Sequence, residues 1–277
     1  MQLLVVFLTM TFTSSILAQC NRSKWDGLRV TWNQNPEDPN YFVRFPRTES
    51  DALNQGFKII GTCDMRARWR GKRYIRNDDD YTVVLLFDKN GYIAGIQTTI
   101  PKSYKSPYLS TKLQPPLVSD GDRWMITAYF TDPSKICTTG RTKEEFDKEG
   151  TGSNLYLQNS TIPEESFVVP NRQEDTKSAH WVTARCVKYM GVHHYYKLSL
   201  DLACEELFPV APLYNKGELT ALSWTFLYDL PGERYEHAAA NIFPLFMDPV
   251  PRCIDNIERA TTMHIYFIDN IQLITCP

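Results

Sequence analysis

The sequence predicts a mainly β protein of antiparallel sheets, sandwich-like, stapled by disulfides and carrying two or three short helices. Runs rich in Val, Ile, Leu, Thr, Tyr, Phe and Trp recur from residue 57 onward, parted by Gly, Pro and Asn turns. Seven cysteines are spread along the chain with no CxxC pair among them. The composition, 43% hydrophobic and 13% aromatic with 13 Gly and 17 Pro in 277 residues, supports a true core and excludes disorder and collagen. Lys and Arg total 30 against 32 Asp and Glu, a net charge of -2 that argues against nucleic acid as a general partner.

Residues 1–18, MQLLVVFLTMTFTSSILA, read as a signal peptide: uncharged, apolar and ending in small residues, with Ala18 at the cleavage point. No later run is apolar and long enough to cross a bilayer, so no membrane span is expected after cleavage and the product is expected to be extracellular. Cys20, Cys63, Cys137, Cys186, Cys204, Cys253 and Cys276 all follow that point. In an oxidising compartment they predict three disulfides, each adding about 2–4 kcal/mol, and one cysteine left over; their connectivity is open. Asn21 and Asn159 begin N-glycosylation sequons, the second in a polar loop.

In chain order, PRTESDALNQGF predicts a short helix with Thr48 as N-cap, Glu49 and Asp51 in its first turn and Gly56 as its stop. FKIIGTC, YTVVLLF and YIAGIQTTI read as strands, the last two joined at Asn90-Gly91, where positive φ angles suit a tight hairpin turn. RWMITAYFTD is a further strand with both faces partly covered. From 138 to 178 the chain turns polar and reads as a connector, within which TKEEFDKEG predicts a helix with a Thr142–Glu145 capping box ended by Gly150. Strand-like runs resume in HWVTARCVKYM, HHYYKLSL, ELTALSWTFLYD, TTMHIYFIDN and QLITC. The chain is therefore expected as an N-terminal β-rich region (19–137), the connector (138–178) and a C-terminal His- and aromatic-rich β region (179–277), or as one continuous domain over 19–277.

Motifs of the commonest enzymes, GxSxG, HExxH, the Walker loop and GxGxxG, are absent. What stands out is histidine: His180, His193, His194, His237 and His264 all lie in the last third, among Tyr- and Trp-rich runs. Imidazole is the commonest ligand of zinc and copper, and sheets bring distant strands to one point. His193 and His194 face opposite ways in a strand, so one of them is expected to join His237 and His264, with Glu236 as fourth ligand, orienting group or general base. The bland reading is a half-buried strand histidine bonded to a carbonyl or hydroxyl.

A second candidate is MRARWRGKRYIR, where Arg66, Arg68, Arg70, Lys72, Arg73 and Arg76 interleave with Trp69 and Tyr74. If extended, Arg66, Arg68 and Arg70 share a face suited to a sulfated or carboxylated polysaccharide. Asp78, Asp79 and Asp80 follow and are expected to neutralise it locally.

The stretches MGVHHYYKLSLDLACEELFPVAPLYNKGELTALSW, RYEHAAANIFPLFMDPVPRC and TTMHIYF resemble secreted invertebrate proteins of the mollusc shell-matrix type. The likeness covers the last third; it implies an extracellular-matrix setting and transfers no active site. The His193-His194 pair is similar to the paired histidines of copper monooxygenases, whose following Met and second HxH-type motif this sequence lacks. Three functions follow as expectations: an extracellular binding or structural matrix glycoprotein with a histidine metal site, a secreted copper- or zinc-dependent enzyme, and a binder of anionic polysaccharide.

Overall fold

The apolar runs separate into two sheets because nearly every residue of the central strands is covered on both faces. A computed structural model describes residues 24–32, 42–104, 116–232 and 234–276. Among these, one sheet has the order β11 (Trp181–Val187), β12 (Gly191–Tyr196), β13 (Val210–Asn215), β14 (Glu218–Phe226), β16 (Arg259–Tyr266), β1 (Arg29–Thr31) and β2 (Phe42–Arg44), with β15 (Glu236–Ala239) also on β16. The other runs β10 (Phe167–Val169), β9 (Leu155–Leu157), β8 (Arg123–Tyr129), β6 (Ile93–Pro101), β5 (Asp80–Phe87), β4 (Lys72–Arg76) and β3 (Phe57–Gly61), with β7 (Val118–Asp120) on β8. The strand pairs are antiparallel, so the expected fold class holds.

Each sheet is built from both ends of the chain. Strands β1 and β2 join the sheet made otherwise from residues after 180, while β9 and β10, within the polar 138–178 stretch, extend the sheet made from the N-terminal half. The facing sides share one core, in which Leu85, Ile96 and Ala128 meet Leu222, Trp224, Met263 and Ile265. Trp25 stacks on Phe267 at 4.1 Å, and Phe130 meets that ring edge-on at 5.3 Å. Burial of such aromatic and branched side chains dominates the stability of a sandwich.

Local signals account for the short elements. Helix α1 (Glu49–Asn54) has the Asp51 amide on the Thr48 hydroxyl, and Gly56 follows at φ +81°. A four-residue helix, α2 (Pro133–Ile136), starts at Asp132, whose side chain accepts from the Ser134 amide. Helix α3 (Lys143–Glu149) carries the reciprocal Thr142–Glu145 capping box and stops at Gly150, φ +70°. There a Cβ would lie 2.0 Å from the Trp25 carbonyl oxygen, so glycine is required by close approach as well as by φ.

Two local expectations are corrected. Of Asn90-Gly91 only Gly91 takes a positive φ, because the Asp88 carboxylate accepts from the Asn90 and Tyr92 amides and closes the turn with Asn90 on the ordinary side. QLITC does not form a strand; Ile271–Leu273 is a 3-10 turn docked by buried Ile271 and Ile274. Strand β13 was hidden by Pro212, which pairs with Leu222 on one side. On its other side the paired residues of β12 and β13 end at His193 and Leu213, so the missing Pro212 amide costs no bond there.

Disulfides Cys63–Cys137, Cys186–Cys276 and Cys204–Cys253 pair six cysteines as expected. The seventh, Cys20, and the sequon residue Asn21 lie outside the described residues.

Candidate functional site

The outward face of the β11–β16 sheet carries a cavity of about 180 Å³. Alternation along β12 turns His193 and Tyr195 toward it, β14 contributes Ser223 and Thr225, β15 Glu236 and Ala238, and β16 Thr262 and His264. Ser223 stands directly across the ladder from His264, and Glu236 across from Thr262. Room exists because β14 places the small Ser223, across the ladder from His264, where a larger side chain would fill the floor. The cover is apolar: Ile242 and Leu245 from the 3-10 helix Ala240–Leu245, then Phe246, with Val187 from the end of β11 and Met190 from the turn that follows. Disulfides flank it, Cys186–Cys276 beside Val187 and Cys204–Cys253 in the apolar cluster that contains Tyr195.

His193 and His264 are buried, with ring centres 5.9 Å apart and planes perpendicular. Nδ1 of His193 lies 3.3 Å from the Arg185 carbonyl, which can only accept; the proton therefore sits on Nδ1 and Nε2 keeps its lone pair. Nδ1 of His264 is buried without a hydrogen bond, its nearest carboxylate oxygen being Oε2 of Glu236 at 3.8 Å. That oxygen accepts from the Thr262 hydroxyl at 2.8 Å. Burial lowers the pKa of His264 to about 4; burial and then the neighbouring His264 lower that of His193 to about 3. Both rings are thus neutral at pH 7, and His264 meets Glu236 as an imidazole beside a carboxylate rather than as an ion pair. The carboxylate favours the His264 tautomer with its proton on Nδ1. The His193 ring also bonds to the backbone of Gly191, and Nδ1 of His264 is the buried ring nitrogen left without a partner among the described residues.

Of the five residues proposed for a metal site, three share the cavity and two do not. His194 points to the opposite face, where Nε2 lies 3.0 Å from the Thr183 hydroxyl and Tyr214 packs edge-on at 4.7 Å; burial holds its pKa at about 4. His237 is exposed, with Nδ1 on the Asp229 carboxylate and Nε2 3.2 Å from the Gly232 carbonyl. The expected convergence with His264 fails because His237 follows Glu236 directly on β15 and so takes the other face. No group of three or more His, Cys, Asp or Glu among the described residues is arranged to hold a metal ion. Tyr195, Ser223, Thr225, Thr262 and Met190 line the cavity without having been singled out by sequence.

The basic run is dispersed. Residues 64–70 form turns instead of a strand, so Arg66, Arg68 and Arg70 share no face. Arg70 is buried and forks onto Glu164 at 2.6 and 3.0 Å, Lys72 pairs with Glu49, and Arg73 binds Asp120 at 2.8 Å while covering buried Trp69 at 4.3 Å. The neutralising acids are thus Glu164, Glu49 and Asp120, whereas Asp78 pairs with Lys58 and Asp80 with Arg234. Arg66 and Arg68 stay exposed, Arg66 beside Asp64 and Arg68 donating to the Ser119 carbonyl.

The chain matches no protein-family model, and no curated protein or solved structure matches it. The functional argument therefore rests on the cavity alone. Its chemistry is an apolar cover above two neutral imidazoles, one carboxylate and the hydroxyl-bearing Tyr195, Ser223, Thr225 and Thr262, a combination that holds a ligand by shape and orients it by a few polar contacts.

Proposed function

We propose that the chain is an extracellular binding protein whose working part is this cavity. The observation that carries the reading is the pairing of an apolar cover with a buried imidazole nitrogen, Nδ1 of His264, that no protein group satisfies, because a fold selected for stability alone would fill or satisfy such a floor. Three disulfides, an exposed Asn159 in an Asn-Ser-Thr sequon and, among the described residues, no helix long and apolar enough to cross a membrane support an extracellular glycoprotein. A purely structural matrix component would need the staples and the charged surface but not the cavity. The size favours a compact occupant, since a cavity of about 150 Å³ holds a benzene-sized molecule.

The test is thermal and NMR titration of the secreted chain with a panel of small aromatic and aliphatic compounds, each carrying one hydroxyl or amine. Binding that shifts the His193 and His264 ring signals and is lost in Ser223→Leu, which fills the floor, supports the reading. A folded protein that binds none of them, with or without added metal, overturns it.

A further inference from the structure

We infer that the floor of the cavity is a site for monovalent copper, ligated by Nε2 of His193 and Nε2 of His264, with the Met190 thioether as the third donor. The inference rests on the cavity being the working part of the protein, and it names a soft cation as what the polar floor holds.

Geometry comes first. With metal–nitrogen bonds of about 2 Å, and each nitrogen about 1 Å from its ring centre, two imidazoles sharing an ion have ring centres no more than about 6 Å apart. The observed 5.9 Å meets that limit at a wide nitrogen–metal–nitrogen angle. The far nitrogens are also arranged as ligating histidines require: Nδ1 of His193 is tied to a backbone carbonyl and Nδ1 of His264 faces a carboxylate. Such partners set the tautomer and aim the lone pair of the other nitrogen. Ser223, the small residue across the ladder from His264, lines the same cavity.

The type and number of ligands then select the ion. Glu236 is the one carboxylate lining the cavity, and Lys188, the one cationic side chain there, sets its ammonium over the Tyr189 ring at 4.7 Å. Structural zinc takes four ligands and catalytic zinc three, but no group of three His, Cys, Asp or Glu among the described residues is arranged for it. Copper(I) is soft, accepts a thioether and tolerates low coordination numbers. Met190, half-buried at the turn before β12, lines the same cavity.

The test is anaerobic titration of the full secreted chain with cuprous ion against a colorimetric competing chelator, alongside His193→Phe, His264→Phe, Met190→Leu, Glu236→Gln and the control His237→Ala. Circular dichroism checks that each variant folds, with His264→Gln replacing any histidine variant that does not. One copper per chain is expected, with affinity unchanged in His237→Ala and lowered about 10–100-fold in Glu236→Gln, the usual cost of losing an outer partner. Each cavity-histidine variant should lose more than that, and the sulfur contribution to the X-ray absorption spectrum should vanish in Met190→Leu. A folded wild type that takes no cuprous ion, or full affinity in both histidine variants, overturns the inference. Organic compounds that still bind the metal-free protein would then leave the cavity reading standing and remove copper alone.

Discussion

The two sheets turn similar faces toward each other and finish their outward faces in different ways. On the β3–β10 sheet, buried Tyr129 and Gln158 belong to a bonded chain, while the Trp69 indole nitrogen is buried without a hydrogen bond beneath the Arg73 guanidinium. The Arg70 amide donates to the Tyr129 hydroxyl at 3.1 Å, that hydroxyl donates to Gln158 at 2.8 Å, and the Gln158 amide donates to the Arg68 and Ser160 carbonyls. On the β11–β16 sheet, two imidazoles and a carboxylate surround a cavity, and one imidazole nitrogen is buried with nothing bonded to it. The contrast teaches that burial of polar groups is not by itself a sign of function; burial without satisfaction, beside empty space, is.

The sharpest way to break the comparison is to open the satisfied face. Arg70→Ala strands Glu164 and removes the bond to the Ala67 carbonyl, and breaking a buried pair of this kind costs about 3 kcal/mol, the lower end of the usual range because Glu164 is partly exposed. Urea unfolding should show that loss while cuprous-ion affinity stays at the wild-type value. A loss of affinity as well would mean that the two faces are coupled through the core.

Acid should separate the faces next. Because His193, His194 and His264 have folded pKa values near 3 to 4 against an ordinary 6.5, the unfolded chain binds protons first as pH falls. Their contribution is therefore fully present above about pH 6.5 and is lost progressively toward pH 4. On Glu49, burial raises the pKa but the hydrogen bonds from Lys72 and Tyr74 outweigh it, so the net shift is downward from 4.5. Its contribution is held through that window and lost only in stronger acid. Urea midpoints of the metal-free protein should fall between pH 6.5 and 4, and the fall should be shallower in His264→Phe.

At pH 7 the same His264→Phe variant should be more stable than wild type by about 1 kcal/mol, since replacing an unsatisfied buried polar group by an apolar one of similar shape removes a desolvation cost. For a chain of this size that is a rise of about 2–4 °C in Tm. Gain of stability with loss of binding is the signature of a site kept at the expense of the fold.

How far the sequence carried this comparison differs between fold and site. Period-two patterning and turn residues revealed the antiparallel strands, and Thr142 with Glu145 foretold α3, because those signals are local. Strand β13 was illegible behind Pro212, whose missing amide is harmless only because of how β12 ends its pairing, a tertiary fact. His193 and His264 were legible as candidates, and alternation already required that only one of His193 and His194 could take part. Their meeting depends on the registers of β12, β13, β14 and β16, which no spacing rule reports. His237 was misassigned for want of the same alternation argument applied to Glu236. The basic run failed because carboxylates distant in sequence, Glu49, Asp120 and Glu164, claim its cations.

The smallest effect expected is also the one that tests whether the first face is a site at all. Arg66 and Arg68 are the exposed cations of residues 66–73, Arg66 with 92% of its side chain in solvent. Their stacking partner is taken, since Trp69 is buried beneath the Arg73 guanidinium. Two solvated charges without an aromatic platform hold a polyanion weakly and contribute little to the fold. Arg66→Ala with Arg68→Ala should therefore change stability by less than about 0.5 kcal/mol. Retention of the chain on heparin at physiological salt should be unchanged. A marked drop in retention would mean that the satisfied face binds ligand through its rim, and that saturation of buried groups is no guide to where a sheet does its work.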